Sequence, residues 1–380
     1  MKDDKQRADE MKEINLKLAG KIKRLTNKTF KFDKRLGEGW FSAVYFLKTR
    51  EIIKKHRPNR IVMMQFFQKN HAILCGTDEV IALLHTFADN PQDLEIRSLK
   101  DGDKIEPYET VLTITGRYED FGFLEGVIDG ILARRTSVAT NVYNVVKAAR
   151  YSGVQKPVIF MGDRDDHYTQ QAGDGYAAYI GGSTAQATHA MNEWWGKEGM
   201  GTMPHALLQL FRGDVVAATR AYKETFPNDE LTALVDYNND VITDALKVAR
   251  EFGDELKGVR VDTSQNMVDK YFFRNPEVMG TFDPRGASPQ LLFALREALD
   301  KEGFNHVKII ATGGFNAERI LEYEKLGVPV DIYGVGASLL KINILFTGDN
   351  VLLDGEHEAK AGRRFRDNPR LELVEYEELN

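Results

Sequence analysis

A single cysteine, Cys75, in 380 residues leaves no intrachain disulfide and no cysteine-cluster zinc site open to this chain. Long apolar runs are also missing, and none reaches the length of a membrane span. The opening Met1-Lys2-Asp3-Asp4-Lys5 has no apolar core of the kind a secretory leader needs, so the expected location is the cytoplasm. Positive charge is in deficit. With 51 Lys and Arg against 57 Asp and Glu, the net charge is −6. That balance argues against a nucleic-acid partner, although a local basic patch can still hold a small polyanion. What the chain does have is 42% hydrophobic and 28% charged residues, enough for a packed core in one large domain or two of ordinary size.

Texture changes along the chain. Residues 1–28 are densely charged, with Leu and Ile at helical spacing, and read as a solvated helical extension. From 29 to 125 the runs Ile61–Phe67, His71–Cys75 and Thr110–Thr115 read as strands within an α+β domain, to which residues 345–380 are expected to return. From 126 to 344 helical stretches alternate with short apolar strands. The strands are Val158-Ile159-Phe160, Leu231–Val235, Gly258–Val261, and runs around Ile309 and Val330. That alternation means βαβ units and a parallel sheet.

Polar residues and glycines collect where these strands end. Phe160 leads to Gly162-Asp163-Arg164, Val235 to Asp236, and Val261 to Asp262-Thr263-Ser264. The last two strands end in Thr312-Gly313-Gly314 and in Gly334-Val335-Gly336-Ala337-Ser338. Backbone can approach an anion closely only where side chains are missing, and free N–H groups at a helix start then bind it. Thr312, Gly313, Gly314, Gly334 and Gly336 are therefore expected to cradle a phosphate, with Ser338 adding a hydroxyl. A doubly wound sheet gives the same rim. The absence of a Gly-x-Gly-x-x-Gly after the first strand favours a (β/α) barrel.

Between these strands lies Gly201-Thr202-Met203-Pro204-His205-Ala206. Together with Arg260–Ser264 and the two glycine loops, in that order, it resembles the nicotinate phosphoribosyltransferase family from about Tyr45 to Leu340. The resemblance implies an irregular TIM-like α/β barrel with an N-terminal α+β domain completed by the C-terminal tail. It also implies a homodimer with shared active sites. The implied reaction joins nicotinate to phosphoribosyl pyrophosphate, with ATP hydrolysis coupled through a phosphohistidine and Mg²⁺ required. No residue is singled out as a direct metal ligand, although a carboxylate such as Asp262 can accept ribose hydroxyls or hold Mg²⁺ with pyrophosphate oxygens.

The same resemblance suggests roles. His205 matches the phosphorylated histidine; imidazole is nucleophilic when neutral. Arg260 and Asp262, two apart at one strand end, face the same way and match the pair that meets the ribose and phosphate. Asp236 supports the histidine or Mg²⁺, or alternatively caps a helix. Arg164 is placed to fork onto the nicotinate carboxylate. Met161 stands where the family has a stacking aromatic. Tyr45 matches a tyrosine that stacks on the base from the neighbouring subunit. Ser183 and Thr184 match the loop closing over the pyridine substituent. Their hydroxyls favour an acid, where nicotinamide-using relatives carry an aspartate.

Asp165-Asp166 with Thr169 lacks the preceding strand and the glycine of an acidic phosphoribosyl loop. Asp163, Asp166 and His167 read as a solvated loop, not a metal triad. The alternatives are a decarboxylating quinolinate phosphoribosyltransferase and a non-catalytic barrel that binds a phosphorylated ligand.

Overall fold

The computed structural model describes residues 22–376. Most of the charged extension read over 1–28 lies outside the described residues. Residues 22–26 are not helical, and a single 3₁₀ turn follows at Asn27–Thr29. Arg24 is not on a solvated face. It pairs with buried Asp78 at 2.8 Å and donates to the carbonyls of Ser98 and Leu99.

The chain divides into two compact units. Among the described residues, the first comprises 22–140, 172–181 and 341–376. Its main sheet contains β1 (Ile61–Phe67), β3 (Glu95–Ser98), β5 (Leu112–Arg117), β12 (Thr347–Leu353), β13 (Glu356–His357) and β14 (Glu372–Leu373) in the order β13-β12-β1-β5-β3-β14. All its pairings are antiparallel. A small second ladder joins β2 (Ala72–Ile73) to β4 (Lys104–Ile105). Met64 and Phe66 of β1, Ile114 of β5 and Leu83 and Leu84 of helix Thr77–Phe87 form a core with Phe121 and Phe123. This unit takes more of the chain than 29–125 plus the tail, because helix Glu125–Ala148 packs its first half into the same core through Ile128 and Leu132.

One buried ionic cluster stands out in that unit. Arg135 bonds Glu79 Oε2 at 2.8 Å and Asp174 Oδ1 at 2.5 Å, and Arg134 reaches Asp174 Oδ2 at 2.7 Å. Charges taken out of water must be paired in this way. A Cβ at Gly173 would collide with the Arg135 guanidinium, so the helix carrying Asp174 needs glycine there.

The second unit comprises 141–171 and 182–340. Its strands are β6 (Val158–Phe160), β7 (Ala185–Gln186), β8 (Leu231–Leu234), β9 (Leu256–Val261), β10 (Lys308–Ala311) and β11 (Ile332–Val335), in the order β7-β6-β11-β10-β9-β8 and parallel throughout. Near-continuous burial of these strands is what a parallel sheet covered by crossover helices requires. Helix Val241–Phe252 buries Val241, Ala245, Val248, Ala249 and Phe252, the spacing of one helical face. Pro289–Lys301 starts on a Ser288 cap with Pro at its first turn and buries Leu291, Leu292, Leu295 and Leu299. This is the expected α/β architecture, with the barrel's parallel sheet curled but open, since no pairing joins β7 to β8 among the described residues. β7 was not legible in the sequence: two residues of Ala-Gln carry no strand pattern of their own. No helix among the described residues is long and apolar enough to cross a membrane.

Candidate active site

The carboxyl ends of β8, β9, β10 and β11 bring most of the expected residues together. Val235, just past β8, donates to the carbonyl of Arg260, so the end of β8 lies beside β9. The next residue, Asp236, is buried, and its Oδ2 lies 3.2 Å from His205 Nε2. It is not a helix cap, because Asp240 holds the N-cap position of the helix that follows. Its Oδ1 is buried without a partner.

His205 opens the short helix His205–Leu210 behind Pro204, with 45% of its side chain exposed. Its pKa is raised, first by the hydrogen bond to Asp236 and further by the charges of Asp236 and Asp262, against desolvation and Arg260. A carboxylate can only accept, so the Asp236 contact places the proton on Nε2 and leaves the Nδ1 lone pair available.

Arg260 lies on β9 and donates to the carbonyl of Met203 at 3.0 Å, tying the histidine-bearing loop to the sheet. Burial pulls its pKa down while Asp262 and Asp236 push it back up. Its Nε has no partner. Asp262, just past the end of β9, accepts from Thr312 Oγ1 at 2.6 Å.

Past Thr312 the chain turns through two left-handed glycines, Gly313 (φ 90°) and Gly314 (φ 71°), before helix Ala317–Leu326 starts on an Asn316 cap. A Cβ at Gly313 would sit 3.3 Å from the Thr263 carbonyl and 3.5 Å from Asp262 Oδ1. The amides of Gly313, Gly314, Phe315 and Asn316 have no acceptor among the described residues. That is the donor array an anion requires.

The second glycine loop differs from expectation. Gly334 is inside β11, and a Cβ there would lie 2.5 Å from both Met161 Sδ and Thr312 Cγ2. Its glycine makes room for Met161 across the sheet. Gly336 lets the chain pass the Met161 carbonyl, 2.7 Å from where its Cβ would be. Ser338 Oγ donates to the Phe315 carbonyl at 2.8 Å, so its hydroxyl proton serves the first loop.

Met161 lies at the same rim, while Phe160 is fully buried and turned away. Arg164 is exposed and forms no ion pair with Asp165 or Asp166. Ser183 and Thr184 are displaced from the expected position. Thr184 donates from both N and Oγ1 to the carbonyl of Val158, the first residue of β6, at 2.9 and 3.0 Å. The pair therefore lies at the amino end of β7, a strand's length from the rim. Ser183 is buried and accepts from Gln186 Nε2 at 2.6 Å. The missed strand β7 caused this misplacement: the residues that follow it at the rim are Ala187, Thr188 and His189. Tyr45, in the first unit, is 65% exposed at the start of helix Val44–His56, which excludes a half-buried core role.

No group of three or more His, Cys, Asp or Glu side chains suited to a metal occurs among the described residues. Asp262 and the unpartnered Oδ1 of Asp236 suit a Mg²⁺ that takes its remaining ligands from phosphates and water.

Comparison with known proteins bears on this arrangement. A family model described as the N-terminal domain of quinolinate phosphoribosyl transferase matches residues 43–136. A nicotinate phosphoribosyltransferase of Bacillus subtilis (strain 168) is 25% identical over 306 residues, 72% of this chain and 56% of the relative. One from Mycobacterium tuberculosis is 28% identical over 253 residues, 65% of this chain and 50% of the relative. The chain is thus similar to nicotinate phosphoribosyltransferases over about two thirds of its length. It spans about half the length of the curated relatives it matches. The crystal structure of a nicotinate-nucleotide pyrophosphorylase from Pyrococcus furiosus aligns with a TM-score of 0.75 at 27% identity, over 93% of this chain and 86% of that one. Human nicotinic acid phosphoribosyltransferase shares the fold, with a TM-score of 0.62 at 15% identity over 83% and 75% of the two chains.

Proposed function

We propose that this protein is a nicotinate phosphoribosyltransferase, coupled to ATP through His205 and active in the cytoplasm. The observation that carries the reading is the pairing of His205 with Asp236 at the same rim as Asp262, Thr312 and the unpaired amides of the Gly313–Asn316 loop.

In this reading the sugar 5′-phosphate docks on the loop amides. Asp262 keeps one oxygen on Thr312 and offers the other to the ribose hydroxyls. The pyridine nitrogen of nicotinate attacks the anomeric carbon, a C–N bond forms, and the C–O bond to pyrophosphate breaks with its electron pair leaving on pyrophosphate. Arg164, exposed and unpaired, holds the nicotinate carboxylate. Thr184 cannot donate to it, because its hydroxyl is committed to Val158. Neutral His205 attacks the γ-phosphorus of ATP through Nδ1 while Asp236 holds Nε2–H; ADP leaves, and the phosphohistidine is later hydrolysed. Mg²⁺, held by Asp262 and Asp236 with phosphate oxygens, would neutralise charge on the leaving pyrophosphate. Tyr45, with exposed Trp40 and Phe41 nearby in sequence, supports a homodimer in which a partner copy covers this aromatic surface.

The quinolinate reading has support from the family model over residues 43–136. That stretch precedes the His205 segment, and the His205–Asp236 pair has no task in a decarboxylating transfer. Labelled nicotinate, nicotinamide and quinolinate, each offered with phosphoribosyl pyrophosphate with and without ATP, separate the readings. Nicotinate mononucleotide from nicotinate, stimulated by ATP, is expected. Product from quinolinate alone, with release of carbon dioxide, would replace this assignment.

A further inference from the structure

The glycine loop after β10 is held from behind by three side chains drawn from three separate elements. Arg319 Nη1, in the first turn of helix Ala317–Leu326, donates to the Gly313 carbonyl at 3.0 Å. Gln265 Nε2, on the loop after β9, donates to the Gly314 carbonyl at 3.1 Å. Ser338 Oγ, just past β11, donates to the Phe315 carbonyl at 2.8 Å. Three consecutive carbonyls are thereby captured.

In a trans peptide the C=O of one residue and the N–H of the next point in opposite directions, and there is no cis peptide bond among the described residues. Fixing the carbonyls of 313, 314 and 315 therefore fixes the amides of Gly314, Phe315 and Asn316, and these are amides with no acceptor of their own. Two successive left-handed glycines would otherwise be among the least restrained residues of the molecule.

The pins are themselves held. The Arg319 guanidinium lies 4.3 Å from the Phe315 ring centroid and 5.3 Å from that of Tyr323, and its Nη2 donates to Tyr323 Oη at 3.0 Å. Tyr323 Oη in turn donates to the Ala287 carbonyl at 2.8 Å. Gln265 lies so close over Gly314 that a Cβ there would collide with its amide.

We infer that Gln265, Arg319 and Ser338 are positioning residues that pre-set the backbone amides of this loop for a phosphomonoester without touching it. The inference rests on the phosphoribosyl reading of the site and goes beyond it, since it assigns these side chains to the protein's own carbonyls. It also reverses the expected part of Ser338, from a ligand of the phosphate to a brace behind it. A pre-set donor array binds without the cost of ordering the loop at each encounter. Loss of one pin is thus felt as weaker phosphate binding, while the pyridine end of the site is left alone.

The test uses ribose 5-phosphate as the probe, measured by calorimetry on the full chain, beside steady-state kinetics. Gln265→Ala and Ser338→Ala are each expected to weaken ribose 5-phosphate binding about tenfold, the equivalent of one hydrogen bond. They should raise KM for phosphoribosyl pyrophosphate by a similar factor and leave KM for nicotinate unchanged. Gln265→Glu, which faces a carboxylate to a carbonyl, should be worse than Gln265→Ala. Ser338→Thr, which keeps the hydroxyl, should restore binding. Unchanged melting temperatures for the exposed Gln265 variants separate positioning from folding.

Binding of ribose 5-phosphate by both alanine variants as tightly as by wild type overturns the inference. So does a wild type that fails to bind the probe, or a rise in both KM values together. If wild type binds the probe and the variants do not, yet no pyridine is turned over, the function assigned above fails and the bracing stands.

Discussion

Thr312 Oγ1 and Asp262 Oδ1, at the ends of neighbouring parallel strands, lie 2.6 Å apart. The hydroxyl is buried with its residue, so it has no water to turn to. In the proposed function, the bond would join the carboxylate meeting the sugar to the first residue of the loop holding the phosphate, so that both ends of a phosphoribosyl group are referred to one hydrogen bond.

Removing that hydroxyl at constant shape tests the link. Thr312→Val should cost about 1 kcal/mol of stability but reduce kcat/KM for phosphoribosyl pyrophosphate by about tenfold or more, because Asp262 loses its fixed rotamer. Thr312→Ser should recover most of the activity. Chemical denaturation and initial rates report the two effects separately.

The His205–Asp236 contact makes a pH prediction. The raised pKa of His205 means it holds its proton to higher pH than a free imidazole. Only the neutral ring accepts a phosphoryl group, so ATP stimulation should rise with pH on a limb lying above the ordinary histidine value near 6.5. Asp236→Asn removes the chief cause of the shift, and the limb should move to lower pH with reduced maximal coupling. His205→Ala should abolish ATP stimulation while leaving slow transfer. These outcomes are read from rates with and without ATP across pH.

The Arg135 cluster governs stability, not chemistry. Arg135→Met would leave Glu79 without its cation and Asp174 with Arg134 alone. Breaking a buried pair from one side costs roughly 3–5 kcal/mol. Thermal denaturation should show a loss of that order in Arg135→Met. Arg134→Met, at the more exposed partner, should lose less.

Glu125 and Asp129, on one helix of the first unit, and Asp349 of β12 form an acidic group. Burial, then the charges of Asp129 and Asp349, push Glu125 up to about 7. Burial and Asp349 push Asp129 up to about 6, against a hydrogen bond from the Gly348 backbone. Arg363 and Lys360 are the cations that act on Asp349. The folded form thus keeps a proton that the unfolded chain has released between the ordinary carboxyl value near 4.5 and about 7. Stability from this group falls as pH rises through that window. Glu125→Gln, neutral throughout, should match wild type near the lower limit. It should be more stable above the upper one, by an amount on the order of 1 kcal/mol once solvent screening is allowed for. Melting curves at the two pH extremes measure it.

The sequence made the long elements and the strand ends legible for a physical reason. Runs such as Ile61–Phe67 carry their own pattern, and glycines and acids gather where parallel strands stop. His205, Asp236, Arg260, Asp262, Thr312 and Gly313 accordingly converge in the structure. What a single chain does not display is the partner of each side chain. Nothing in Ser183-Thr184-Ala185-Gln186 shows that a two-residue strand begins after the threonine, and that shift alone moves the hydroxyls from the rim to the far end. Gln265 and Arg319 were missed because they act on carbonyls, which have no sequence signature. Gly334 was assigned to phosphate when its missing side chain instead accommodates Met161.

The most direct test is a crystal of the protein soaked with nicotinate mononucleotide. The account predicts phosphate density within hydrogen-bonding distance of the amides of Gly314, Phe315 and Asn316, with the ribose hydroxyls at Asp262 and the pyridine carboxylate facing Arg164. A mononucleotide whose phosphate lies elsewhere, with those amides left to water, would contradict it.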